Sequence, residues 1–285
     1  MMKVIFIIAV LLAIFALYCR ITGNTYDSSI FGVTKITGKS TAVPFWGRIF
    51  PNWWLVEKAR FSGKKNWEVN VPLIEAFVVK WVLEGRVKLV PNAMDPKQAR
   101  LALGPDNGFD DPGEAELYRM LLDASGGTNV LDSNAFTDWA RKHFKQVAEY
   151  PDRAKAWGEQ YFAAIGYLDK DRHTVRERYP EMRQAMELKN YLNEFNAAEG
   201  MVAGQPRPWK DYLVLGMLFG CYGKLLPQLR MQHPVDFGDY ARSLGMDPYQ
   251  LLYNLETAPR VVAPGYLSAA KMYSADTIDP LLYGS

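Results

Sequence analysis

Cysteine is scarce: the 285 residues contain two, Cys19 and Cys221. That excludes a disulfide framework and any four-cysteine metal site. Histidine is nearly as scarce. His143, His173 and His233 fall in no HExxH or cysteine–histidine spacing, so no metal and no other cofactor is expected. An excess of charge is missing too. The 33 Lys and Arg against 31 Asp and Glu leave a net charge of +2, which argues against a broadly basic nucleic-acid coat. No GxSxG elbow, kinase signature or dinucleotide fingerprint occurs. Ser125-Gly-Gly-Thr128 lacks the lysine and spacing of a phosphate loop, and the acidic turn at 106–111 has its glycine misplaced for a calcium loop. What is present is a globular composition, 49% hydrophobic and 22% charged, which excludes a disordered or fibrous chain.

Residues 4–19 are uninterrupted apolar sequence, bracketed by Lys3 and Arg20. At helical rise they span roughly 24 Å, the short end of a bilayer core, and snorkelling by the flanking cations extends the reach. The segment Ala16-Leu17-Tyr18-Cys19 lacks the small-x-small pattern of a cleaved signal peptide. Residues 1–21 are therefore expected to be an uncleaved transmembrane anchor in contact with membrane lipid. Arg20, Lys35, Lys39, Arg48, Lys58, Arg60, Lys64 and Lys65 follow the run, against only Asp27 and Glu57. By the loop-charge rule the bulk of the chain is expected in the cytoplasm, at the inner membrane of a bacterium.

Residues 22–70 are the second region, rich in aromatic and basic side chains. Trp46, Trp53, Trp54 and Trp67 lie among Arg48, Lys58, Arg60, Lys64 and Lys65. Tryptophan favours the headgroup level and basic residues favour anionic lipid, so Trp46, Arg48, Trp53 and Trp54 are candidates for lipid or partner contact. An equal reading makes these tryptophans the cap of the following core. Interleaved aromatic and basic residues also occur in single-strand nucleic-acid binders, but the lack of basic excess disfavours that partner.

The expected fold is mainly α: a single N-terminal transmembrane helix, then a helical body with winged-helix-like units and short strands. In region 71–168, Pro72 starts a helix that Gly85 ends, and 86–90 alternates as a strand does. Asp111-Pro-Gly113 leads into a helix to Ala124, and 129–131 is extended. Asp132 or Ser133 caps a helix over 133–147, and Pro151 starts another that exits through Gly166-Tyr-Leu168. Region 169–285 is expected to be helical, with a helix from Pro180 to about Ala198 and a buried core helix over 209–226. The uncharged stretch 212–223 is too short to span a bilayer, and Gly216 and Gly220, one turn apart, offer a face for close backbone packing. Beyond 236, Pro248, Pro259, Pro264 and Pro280 read as punctuation between short helices and loops. Arg172, Arg176, Arg178 and Arg183 form a local basic cluster interleaved with Asp169, Asp171, Glu177 and Glu181. It reads as a salt-bridged face or, more sharply, as a patch for an acidic partner.

Two segments carry a resemblance. Pro112-Gly-Glu-Ala-Glu-Leu through Gly166-Tyr-Leu, and more specifically Tyr191-Leu-Asn-Glu-Phe195 followed by Pro208-Trp and Tyr212-Leu-Val-Leu-Gly-Met-Leu-Phe-Gly220, resemble the cytoplasmic part of the YciQ-like predicted membrane proteins, a family of unknown function. The resemblance covers roughly residues 70–235. It implies placement at a membrane and supplies no catalytic residues. The expected role is a non-enzymatic scaffold that recruits a membrane or cytoplasmic protein. A membrane-tethered winged-helix regulator using 133–147 on DNA, and an enzyme with an unrecognised site, are the rival readings.

Overall fold

The computed structural model describes residues 26–59, 70–91, 99–195 and 208–282. The expected anchor, and with it Arg60, Lys64, Lys65 and Trp67, lies outside the described residues. Among the described residues no helix is long and apolar enough to cross a membrane. The chain is mainly helical, with one small sheet.

The centre of the core is the helix α3, Val71–Leu83, preceded by α1 (Ser28–Phe31) and α2 (Ile49–Ala59). Its run of Leu73, Ile74, Ala76, Phe77, Val78, Val79, Trp81, Val82 and Leu83 is buried on nearly every side, so it must be enclosed rather than laid on a surface. Gly85, at φ 71, ends it and turns the chain into β1, Val87–Val90. An antiparallel sheet follows in the order β1–β2–β3, with β2 at Arg100–Leu103 and β3 at Val130–Asp132. Val87 pairs with Leu103 and Leu101 with Leu131, which turns one apolar face of the ribbon to the helices.

Helix α4, Pro112–Ala124, starts as its sequence signals require: the Asp111 carboxylate accepts from the Gly113 amide at 2.9 Å, and Pro112 occupies the first turn. Asp132 caps α5, Ser133–Lys142, in the same way, accepting from Ala135 at 2.8 Å. The expected single helix over 133–147 is two. His143, at φ −113 and ψ 30, breaks it, and α6 resumes at Phe144–Ala148. Next come α7 (Tyr150–Ala164) and α8 (Tyr179–Asn193). The expected strand exit at Gly166 amounts to one bridge, between Leu168 and Thr174.

The expected core helix over 209–226 is also two elements, α9 (Trp209–Leu218) and α10 (Tyr222–Gln232). Continuous apolarity concealed a turn: Gly220 takes φ 78 and the chain reverses there. The two glycines therefore differ in role. A side chain at Gly216 would meet Leu225 Cδ2 at 2.6 Å, whereas Gly220 has open space around it and serves the turn.

The largest departure is at the C-terminal end. After α11 (Pro234–Ser243), residues expected as fragments form one helix, α12, Pro248–Leu282. Proline inside a helix orphans the carbonyl four residues back. For Pro259 that carbonyl belongs to Leu255, and the buried Tyr222 hydroxyl donates to it at 2.8 Å. Pro264 falls on the exposed side, where a freed carbonyl can be hydrated. Tertiary bonds fix the helix in place. Leu89 of β1 donates its amide to buried Asn254 Oδ1 at 2.6 Å, and Arg141 of α5 donates to Ser268 at 2.8 Å. One hydrophobic core thus runs from Ile30 to Ala270.

Candidate functional site

The aromatic stretch before residue 60 separates into two parts. Trp53 and Trp54 are fully buried in α2. The Trp53 indole donates to the Pro151 carbonyl at 3.4 Å, and that of Trp54 to Glu159 at 3.3 Å, with its ring 5.2 Å from Phe162. This corrects their assignment as lipid or partner contacts: α2 packs on α7, and the two indoles are what it packs with. Trp46 is the opposite case, 81% exposed.

Trp46 sits in a short 3-10 turn, Pro44–Gly47. Phe45, Trp46 and Gly47 take φ of 50, 52 and 71 in succession. Glycine adopts that region freely, but Phe and Trp pay in strain, and such backbone persists only where its surroundings impose it. Two features impose it here. Phe45 is buried edge-on against Phe162 at 4.8 Å. Asn52, an amide buried inside an apolar helix, donates to the carbonyls of Arg48 at 2.8 Å and Pro44 at 3.3 Å, clamping both ends of the turn. With Phe45 turned in, Trp46 is turned out.

Beneath Trp46 lies a cleft of about 450 Å³, within the range of ligand sites. Its wall comes from four separate stretches: the 46–50 turn, the end of α3 with Glu84 and Arg86, the 108–114 entry to α4, and the first turn of α9, closed by Tyr240 of α11. Most of its charge is matched internally. Lys80 is held between Glu114 at 2.5 Å and Glu84 at 3.2 Å. Glu114, buried, also accepts from the Trp81 indole at 2.8 Å. Arg86 bonds Glu84 at 3.0 Å and the carbonyls of Asn107 and Gly108, and its guanidinium lies 4.4 Å over Phe109. Lys210 lies 4.2 Å over the Tyr240 ring and Arg48 5.5 Å over Tyr161. A lysine clamped by two carboxylates is no free nucleophile, so the arrangement suits recognition by charge and aromatic faces.

Asp211 is the exception. It stands against the turn, its Oδ1 2.9 Å from where a side chain on Gly47 would begin, and it makes no hydrogen bond or ion pair with any described residue. Burial holds its carboxyl above the usual range, with the Lys210 charge pulling partly the other way.

The predicted arginines lie close to this turn. Arg178 pairs with Glu181 at 3.3 Å and lies 4.8 Å over Tyr167, which packs on Phe45 at 6.1 Å. Arg172, at φ 64, reaches Glu159 at 3.6 Å, the acceptor of the Trp54 indole. Arg183 is turned inward and donates to the Phe31 carbonyl at 3.0 Å, so it is no part of an open patch. Arg176 is exposed and has no ion pair among the described residues. The structure thus sets Arg178 on Tyr167 and Arg48 on Tyr161 around the Phe45–Phe162–Tyr167 cluster beside Trp46, reaches Arg172 only through Glu159 and the buried Trp54, and leaves Trp53 and Arg183 out. Sequence reasoning missed Asn52, Lys80, Glu114 and Asp211. Asn52 alone carried a signal, as the amide inside Ile49-Phe-Pro-Asn-Trp-Trp-Leu-Val56.

The helix that a DNA-binding role would use, α5, lies under α12: a side chain at Gly265 would meet Phe136 at 2.3 Å, Arg141 bonds Ser268, and just beyond α5 Lys145 pairs with Asp276 at 3.1 Å. The histidines serve locally, His143 stacked on Trp139 at 4.2 Å and His233 beside Asp236 at 3.3 Å. In the acidic turn, Asp106 is taken by Arg119 at 2.7 Å and Asp111 by its cap. No family model, curated protein or solved structure matches the chain.

Proposed function

We propose that this chain is a membrane-anchored recruiting protein, held at the inner membrane by residues 1–21 with its helical body in the cytoplasm, and that it takes its partner at the cleft under Trp46 without doing chemistry on it. The observation that carries this reading is Trp46 itself. A large indole is held in solvent on a strained turn, at the lip of the cleft, by a buried amide that serves the turn alone. Strain of this kind collects at ligand clamps, and tryptophan is among the residues enriched at binding hot spots. The basic residues after the apolar run support the orientation, and the likeness of 70–235 to YciQ-like cytoplasmic parts fits a place at a membrane. Region 71–168 has the helices and three-stranded sheet of a winged-helix-like unit, but its hairpin β1–β2 precedes α4 and α5 instead of following them, and the cover of α12 over α5 weighs against its use on DNA.

The test is in intact membranes. A cytosol-active reporter fused after Ser285 is expected to be active, and a detergent extract is expected to yield a stoichiometric partner that Trp46→Ala releases and Trp139→Ala does not. Periplasmic reporter activity, or a partner equally retained by Trp46→Ala, contradicts the proposal.

A further inference from the structure

We infer that the cleft under Trp46 reads a basic side chain: its occupant is a partner segment that places one lysine or arginine between the Trp46 indole and the Asp211 carboxylate. This rests on the recruiting role proposed above and names the chemistry of what is recruited.

The cleft wall leaves charge of one sign over. Every cation on the cleft wall already has an internal partner: Lys80 has two carboxylates, Arg86 a carboxylate and two carbonyls, Lys210 and Arg48 aromatic faces. The carboxylates divide differently. Glu84 and Glu114 are taken by those cations and Asp111 by its helix cap. Asp110 and Asp211 are taken by nothing among the described residues. Asp110 is at the exposed rim, whereas Asp211 is partly enclosed. What the cleft is missing is therefore positive charge, and the group that would answer it must also suit an aromatic lip. Ammonium and guanidinium do both, pairing with a carboxylate and lying over an indole face. An acidic segment would instead bring its charge against Asp211, where every described cation of the wall already has a carboxylate, carbonyl or aromatic partner. Burial, which holds the Asp211 carboxyl up, would be offset by such a cation, so binding and ionisation of Asp211 support each other.

The test uses the full chain in nanodiscs and three fluorescent decapeptides identical but for the central residue: lysine, norleucine or glutamate. The lysine peptide is expected to bind at least fivefold more tightly than the norleucine peptide at low salt, and the glutamate peptide most weakly. Asp211→Asn is expected to erase the lysine-over-norleucine preference, while Trp46→Ala weakens the lysine peptide severalfold. Unchanged or raised thermal stability of Asp211→Asn shows that the fold persists. Equal binding of lysine and norleucine peptides, or preference for glutamate, overturns the inference. If a partner still depends on Trp46 in membranes under that outcome, recruitment stands and only the basic-side-chain reading fails.

Discussion

Trp46 and Trp53 lie seven residues apart in one aromatic, basic stretch, and the molecule uses them in opposite ways. Trp53 is fully buried, its indole N–H answered by a backbone carbonyl of the neighbouring helix. Trp46 is 81% exposed on left-handed backbone beside a carboxylate that has no hydrogen bond or ion pair among the described residues. The same contrast separates the two regions around them. In the core, Tyr222 fills the carbonyl freed by Pro259 and Asn254 receives the amide of Leu89, while a few buried atoms such as Asn52 Oδ1 and Thr174 Oγ1 have no partner among the described residues. At the cleft, strain and unmatched charge are left in place. Stability and recognition make different demands on the same residue types, and burial tells which demand is being met.

The comparison can be broken most readily at Trp53. Trp53→Ala is expected to cost about 3–5 kcal/mol in equilibrium unfolding, because α2 and α7 lose the side chain between them. A loss under about 1 kcal/mol would place Trp53 outside the core and erase the distinction.

Glu75 probes how completely the core matches its charges. Burial pushes its carboxyl up to about 7 against the opposing pull of Arg260. The folded state then holds a proton that the unfolded state releases from about 4.5, so stability falls as pH rises from 4.5 through about 7. Glu75→Gln removes that penalty. Well above pH 7 it is expected to stabilise the protein by about 3 kcal/mol, a gain that fades towards pH 4.5. A variant whose advantage is the same at pH 4.5 and pH 8 would show that ionisation is not the cause.

The smallest effect sharpens the contrast from the other side. If the 45–47 turn stores strain, Trp46→Gly is expected to be about 1 kcal/mol more stable than Trp46→Ala, since glycine adopts positive φ freely. Equal stabilities would mean that the turn is relaxed.

Much of the fold was legible because its signals are local. Pro72 and Gly85 bracket α3, and Asp111 and Asp132 cap α4 and α5 within three residues of the amides they serve. What was not legible depends on distant partners. Pro259 reads as a break until Tyr222, far away in sequence, supplies the missing donor. The turn at Gly220 is hidden because apolar residues continue on both sides of it. Of the site, Trp46, Arg48 and the arginines near 172–178 were found as a composition bias. The cleft was not, because Lys80 reads as a surface lysine on an apolar helix and Asp211 as an ordinary residue of a first helical turn. Only the fold brings them to one wall.

The most direct test is photo-crosslinking from these two positions in living cells. A photoreactive phenylalanine at position 46 is expected to capture another polypeptide in high yield, sensitive to Asp211→Asn. The same group at position 53 is expected to give only intramolecular products within the folded body. Crosslinks to another chain from position 53, with none from position 46, would contradict the assignment of Trp46 to recognition and Trp53 to the core.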